Sequence, residues 1–314
     1  MLVQEVVHEQ AAEAAHGAAE KFNAGDTIIH HVANSSHEDA LFHLPTIAGI
    51  DFSVTKHVFM LWLVAATVFV VITWAVRRYL RQDRMIPSGF MNGLEAVVEF
   101  VRDDIVQPNV GKKWVPTWAP LILTFFFFIL AANAIGLIPI FDVLGLADYY
   151  VFHTGEHSFI KQLLHGGTTA TANFNVTAAL ATVTFGAIIA AGVKAHGFVK
   201  HWMNLVPHGL AWPIYILLIP IEIMGMFVRP FALTMRLAAN MTGGHIAILA
   251  ILSFVFLFAQ MFSSSLAGVG VGLAVSVPLA VGISALEIIV VLVQAYVFAL
   301  LTAVFIGMAI HVHH

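Results

Sequence analysis

The sequence predicts an all-α polytopic membrane protein with about five to six hydrophobic helical segments. Its N-terminus lies outside, and its last two helices are long, tilted and paired as an antiparallel hairpin. Three observations carry this reading. The first is composition: 60% of the 314 residues are hydrophobic, 10% are charged, and mean hydropathy is +0.89. A soluble chain needs about 25% charged residues to cover its surface, so most of this surface faces something other than water. The second is the segregation of acids and bases between successive loops. The third is a pair of C-terminal apolar stretches too long for an upright crossing. The formal charge of −4 gives no footing for a nucleic-acid partner. Zero cysteines exclude disulfides, thiolate metal sites and cysteine nucleophiles.

Residues 1–55 form a polar N-terminal extension. It carries the acids Glu5, Glu9, Glu13, Glu20, Asp26, Glu38, Asp39 and Asp51 against the single base Lys21. With no basic n-region and no apolar h-region it does not read as a secretory signal, and a short helix is expected around Val3–Lys21. A second region, residues 56–200, holds three membrane spans and an inner amphipathic helix. The first span, about His57–Val76, is followed by Arg77, Arg78, Arg81 and Arg84, which mark the cytoplasmic (or matrix or stromal) side. Next, at about 88–106, Phe90, Leu94, Val97, Val98 and Val101 recur at helical spacing with acids on the opposite face. The second span, about Ala119–Ile140, begins after Trp114 and Trp118, which suit the headgroup belt. The third, about Ala172–Val193, ends at Lys194 and Lys200 and carries small residues at Ala178, Thr182, Gly186 and Ala190. That ridge is expected to admit a neighbouring helix, as membrane packing commonly does.

The third region, residues 201–314, contains four formal charges: Glu222, Arg229, Arg236 and Glu287. An ionisable group at the bilayer centre costs roughly 2.5–3.5 kcal/mol on insertion scales. The four are therefore either internal salt bridges or members of an ion or proton path. The apolar stretch from about His208 to Phe262 would reach roughly 80 Å as one helix. Either Pro213, Pro220 and Pro230 break it into two spans, or one helix lies strongly tilted. About Val271–Ile310 is likewise overlong, and Ser263–Gly272 is the turn candidate between them. Folding the two stretches back about that turn brings together residues with a shared midpoint. Arg236 and Gln294 average 265, and His245 and Glu287 average 266. Steps of seven and four put Arg229, Arg236 and Asn240 on one face, and a step of seven does the same for Glu287 and Gln294. Two polar rows meeting in one hairpin favour a pathway over scattered anchors.

These residues carry a resemblance. The run Arg229-Pro230-Phe231-Ala232-Leu233-Thr234-Met235-Arg236-Leu237-Ala238-Ala239-Asn240-Met241-Thr242-Gly243-Gly244-His245 resembles the signature of subunit a of F-type ATP synthases, the Fo proton-channel and stator subunit. Glu287 with Gln294-Ala295-Tyr296-Val297-Phe298 and Leu301-Thr302 is similar to that family's last helix. Asn133–Pro139 and Asn173–Thr177 are further matches, and the likeness spans roughly residues 50–310. The resemblance implies that Arg236 is the essential stator arginine beside a ring of c subunits, with Gln294 and Asn240 at the same interface. It implies that His245 and Glu287 are an acid–histidine pair in the outer half-channel, and that Glu222 belongs to the inner one. In the most familiar bacterial members the acid and histidine stand in exchanged positions.

The implied function is coupling of transmembrane proton flow to ring rotation and ATP synthesis. The implied partners are the c-ring, the subunit b peripheral stalk, the rest of the F1Fo complex and membrane lipid. The chain itself would be non-catalytic, since it has no Gly-x-x-x-x-Gly-Lys-[Ser/Thr] loop for ATP. An energy-transducing membrane is the expected location, such as a bacterial inner membrane.

The residue types suit that work. A guanidinium does not deprotonate in proteins, so an arginine between two half-channels blocks a leak. It also favours ionisation of a carboxylate passing within about 4–6 Å. A histidine–carboxylate pair can accept and release protons near neutrality. A proton-coupled secondary transporter is the alternative, but no duplicated half is visible. A haem or metal protein is a third reading; only His245 lies deep in a span, so axial ligands are lacking, and no cofactor or metal is expected. The histidines of the extension (His8, His16, His30, His31, His37, His43) and of the 147–171 loop (His153, His157, His165) are read as exposed polar chain, with metal binding or proton buffering at a channel mouth as the alternative. His311, His313 and His314 form an end suited to adventitious metal binding. The glycosylation patterns at Asn175 and Asn240 fall at or within spans and are set aside.

Overall fold

The computed structural model describes residue 25 and residues 53–81, 89–137, 169–203, 212–261 and 265–311. The expected N-terminal helix, the extension's histidines, His153, His157, His165, His313 and His314 lie outside the described residues. The elements are helical throughout: α1 Lys56–Leu80, α2 Phe90–Glu99, a π-helical turn Phe100–Val106, α3 Gln107–Val110 and α4 Val115–Leu137. A 3₁₀ turn Ala170–Ala172 then leads to α5 Phe174–His196, α6 Phe198–Met203, α7 Trp212–Met261 and α8 Ser265–Ile310. Five of these (α1, α4, α5, α7 and α8) are long and apolar enough to cross a membrane. The chain is an all-α, multi-pass membrane protein.

Local sequence explains most boundaries. Asn173 caps α5 by accepting a hydrogen bond from the Asn175 amide at 2.8 Å, and Gly197, at φ 86°, ends it. The inner amphipathic segment is helical but not uniform: α2 gives way to a seven-residue π-helical turn. Pro108 follows directly and cannot donate to the regular ladder. Val101, Ile105, Val106 and Val110 from this segment are fully buried.

The proline alternative resolves in favour of one long helix. α7 runs unbroken for 50 residues with Pro220 and Pro230 inside it, and α8 runs for 46 with Pro278 inside. At 1.5 Å per residue these reach roughly 75 and 69 Å, so neither crosses about 30 Å of hydrocarbon upright. Prolines interrupt one backbone bond each, and in lipid the remaining ladder has no better partner than itself. The glycine-rich turn is the larger correction. Ser265–Gly272 is helical, and residues 262–264 lie outside the described residues. The glycines permit contact instead of chain reversal.

The chain divides into two compact units, one on Met1–Ala33 with Gly244–Ala285 and one on Asn34–Gly243 with Leu286–His314. In the first, α7 and α8 approach closely where Gly268 meets the Phe258 carbonyl and Ala259 Cα, and Gly272 meets Val255 Cα. A Cβ at either glycine would strike backbone, whereas one at Gly270 would meet nothing within 4 Å. Gly268→Val is therefore expected to destabilise this unit by about 1–3 kcal/mol. Thermal unfolding of the solubilised protein, with Gly270→Val as the neutral control, checks it.

In the second unit the C-terminal half of α8 is central. Ala295, Phe298, Ala299, Ala303, Ile306 and Ile310 pack against the α2–α3 segment, α4, α5 and Leu233 and Leu237 of α7. Phe125 meets Phe298 edge-on at 5.4 Å. Gly307 lies so close to the Asn109 carbonyl that a side chain there would clash. Among the described residues the small-residue ridge of α5 does not lie on the packed face. Thr182, Gly186 and Ala190 are exposed, while Thr177, Ala181, Thr184, Ala187, Ile188 and Ala191 are buried. A strict four-residue step drifts about 40° per turn on a helix of 3.6 residues per turn, carrying the ridge off the packed face.

Histidines hold the end of α8. The His196 ring lies 2.9 Å from the Ile310 carbonyl, and the His311 ring 3.2 Å from the Val110 carbonyl. His311 is thus engaged in packing. His201 of α6 is buried beside Gly192; burial, and secondarily the charge of His196, hold its imidazole below the ordinary range. The unfolded chain then binds this proton more readily than the folded one. Stability is retained above the ordinary histidine range and lost as pH falls below it. Replacement of His201 by Gln is expected to flatten unfolding-midpoint dependence on pH below neutrality.

Candidate functional site

The candidate site is built on facing stripes of α7 and α8 in the second unit. On α8 the buried stripe runs Glu287, Val291, Gln294, Ala295, Phe298, Ala299, Thr302, so the polar groups Glu287 and Gln294 occupy core positions of a 3.6-residue repeat. On α7 the buried stripe is Met226, Leu233, Leu237, Ala238 and Met241. Packing that stripe inward turns Arg236 and Asn240 outward, and both are exposed.

The predicted cross-hairpin pair is present. Gln294 Nε2 donates to the Arg236 backbone carbonyl at 3.2 Å. The buried glutamine thus fixes the register of the arginine's own turn without neutralising its charge. Arg236 forms no ion pair among the described residues. An exposed guanidinium midway along a membrane helix is costly unless something outside the helix compensates it.

Arg229 behaves differently. Its Nη2 lies 3.6 Å from Glu222 Oε1, and its guanidinium sits 5.8 Å from the Phe305 ring. Of the expected salt bridges, this one exists and joins two turns of a single helix. Arg229 and Arg236 share a helix face in the sequence, yet one is paired within the chain and the other is not.

Glu287 is buried, at 4% exposure, whereas His245 is half-buried in the Gly244–Ala285 unit. Two further hydrogen bonds that the sequence reading did not single out hold this region in place. Thr171 Oγ1 donates to Asn133 Oδ1, tying the turn before α5 to α4, and both residues are buried. Thr242 Oγ1 donates to the Ala172 carbonyl at 3.4 Å, tying α7 to the same turn. The available signal was an asparagine within an apolar span, where an unsatisfied amide is expensive. No cluster of three or more metal-ligating side chains occurs among the described residues.

Comparison with known proteins is consistent along the chain. Residues 58–307 match the ATP synthase A chain family. ATP synthase subunit a 2 of Chlorobium luteolum is 40% identical over 316 aligned residues, covering 97% of this chain and 82% of the relative. The protein of the same name from Prosthecochloris aestuarii is 38% identical, covering 97% and 85%. ATP synthase subunit a of Anaeromyxobacter dehalogenans is 38% identical over 84% of this chain and 60% of its own length. On these matches the chain belongs to the ATP synthase A chain family.

Proposed function

We propose that this chain is the stator proton-channel subunit of a rotary F-type ATP synthase, working beside a c-ring and held by a subunit b stalk in a bacterial inner membrane. The observation that carries the proposal is Arg236: exposed on a membrane-spanning helix, without an ion pair among the described residues, and backed by Gln294. A carboxylate borne by a neighbouring, moving subunit is the compensation such a charge requires.

In this mechanism protons enter an outer half-channel lined by His245 and Glu287 and reach the ring carboxylate on one side of Arg236. They leave through an inner half-channel past Glu222. The ring carboxylate is ionised while it lies beside the guanidinium and protonated while it faces lipid, where a charge is costly. Arg236 cannot relay a proton, so flow between the half-channels requires ring movement. Asn240, one turn from Arg236 and exposed, lines the same sliding surface. The membrane potential supplies about 2.3 kcal/mol per charge per 100 mV, with the pH difference added.

Gradient-coupled ATP synthesis in membranes carrying Arg236→Ala tests the proposal. Coupling is expected to fall to background, and unchanged coupling would overturn it.

A further inference from the structure

The arginines that follow the first span do more than mark a side of the membrane. A groove of about 600 Å³ runs along α1 over two adjacent ridges, Phe69–Thr73–Arg77–Arg81 and Val70–Trp74–Arg78. Successive members of each ridge are four residues apart and stack along one face. A second cavity, of about 250 Å³, shares Trp74 and Arg78 and continues to Gly89 and Phe90 at the start of α2. Gly89, at φ 66°, lets the chain enter α2 at this point.

The groove is amphiphilic along its length. Phe69 and Val70 are 71% and 60% exposed at one end, and three exposed guanidinium groups stand at the other. The eight residue steps from Phe69 to Arg77 cover about 12 Å, within the roughly 15 Å depth of one leaflet. Arg78 lies 5.3 Å from the centre of the Trp74 ring, which steadies it at the boundary between the two ends. None of Arg77, Arg78 and Arg81 forms an ion pair among the described residues. The acids Glu99 and Asp103, further along the sequence, pair with Arg102. Three exposed positive charges, unpaired among the described residues and beside an open apolar wall at the membrane boundary, suit an occupant with an anionic head and a hydrocarbon chain.

We propose that this groove binds an anionic glycerophospholipid from the leaflet on the arginine side. Arg77, Arg78 and Arg81 hold its phosphodiester, and an acyl chain lies along Phe69 and Val70. A flank that only set orientation would require the charge but neither the groove nor the arginine stacked on Trp74.

The test uses the full chain in phosphatidylcholine nanodiscs containing a minor fraction of phosphatidylglycerol, with bromine on the acyl chains of one lipid or the other. The Trp74 signal is the difference between the unsubstituted protein and Trp74→Phe. Brominated phosphatidylglycerol is expected to quench Trp74 well beyond its mole fraction, while exposed Trp62, earlier on the same helix, shows no such preference. Arg77→Gln and Arg81→Gln should each lower the preference roughly fivefold, and together multiplicatively. Equal quenching of Trp74 by both lipids in the unsubstituted protein would overturn the proposal. So would a preference unchanged in the double variant, or one abolished by inorganic phosphate, which would reassign the groove to a soluble anion.

Discussion

Arg236→Lys is expected to abolish gradient-coupled ATP synthesis almost as completely as Arg236→Ala, although it keeps the formal charge. The loss should be about a hundredfold or more, the scale on which removal of one preorganised charged contact acts. Two properties of guanidinium are lost together. It stays protonated in a water-poor site, where an ammonium can be neutralised and so become a proton carrier. It also presents several donors in a fixed plane, so it can follow a passing carboxylate while its main chain is held from behind. That second property depends on Gln294, whose amide grips the Arg236 carbonyl at 3.2 Å. Gln294→Leu should therefore impair coupling less than either Arg236 variant, because it loosens the turn and leaves the charge. Vesicle ATP synthesis driven by an imposed gradient, with all three variants at matched complex content, checks the ranking.

The second large effect concerns His245 and Glu287. Each single change, His245→Glu or Glu287→His, is expected to cut proton conduction by roughly two orders of magnitude, as loss of a positioned proton-transfer group does. The double exchange should conduct better than either, since it restores one acid and one histidine at the same two positions. Equal loss in all three would show that the residues do not act as a pair. Glu287 is buried on the core stripe of α8, so its single variant also needs an assembly check.

Much of this was legible in the sequence because lipid simplifies the problem. A backbone in hydrocarbon must satisfy itself, so long apolar runs become helices, and charges that remain within them stand out. The shared midpoint of Arg236 and Gln294 found their contact for the same reason: two long antiparallel rods have little freedom of register. The sequence left open whether Pro220 and Pro230 break their segment or lie within one tilted helix, and they sit inside α7. Where the reading failed, a local rule was outweighed. Ser265–Gly272 has the composition of a turn, yet its glycines serve the close approach of α8 to Val255 and Phe258. The Glu222–Arg229 ion pair spans seven residues, beyond the three- and four-residue neighbours usually considered. Two long side chains reach across the extra turn. The Asn133–Thr171 bond joins residues 38 apart, and no periodicity in the sequence encodes such a contact.

The central claim is that a subunit carrying a carboxylate passes directly in front of Arg236. The chain has no cysteine, so a single engineered thiol reports without background. Asn240 is exposed one turn from Arg236, and its replacement by cysteine leaves the arginine in place. In the assembled complex, Asn240→Cys paired with a cysteine next to the ring carboxylate should form a disulfide on mild oxidation, and that bond should stop rotation until it is reduced. Rapid oxidation that yields no product between the two subunits, in a complex that still couples, would contradict the account.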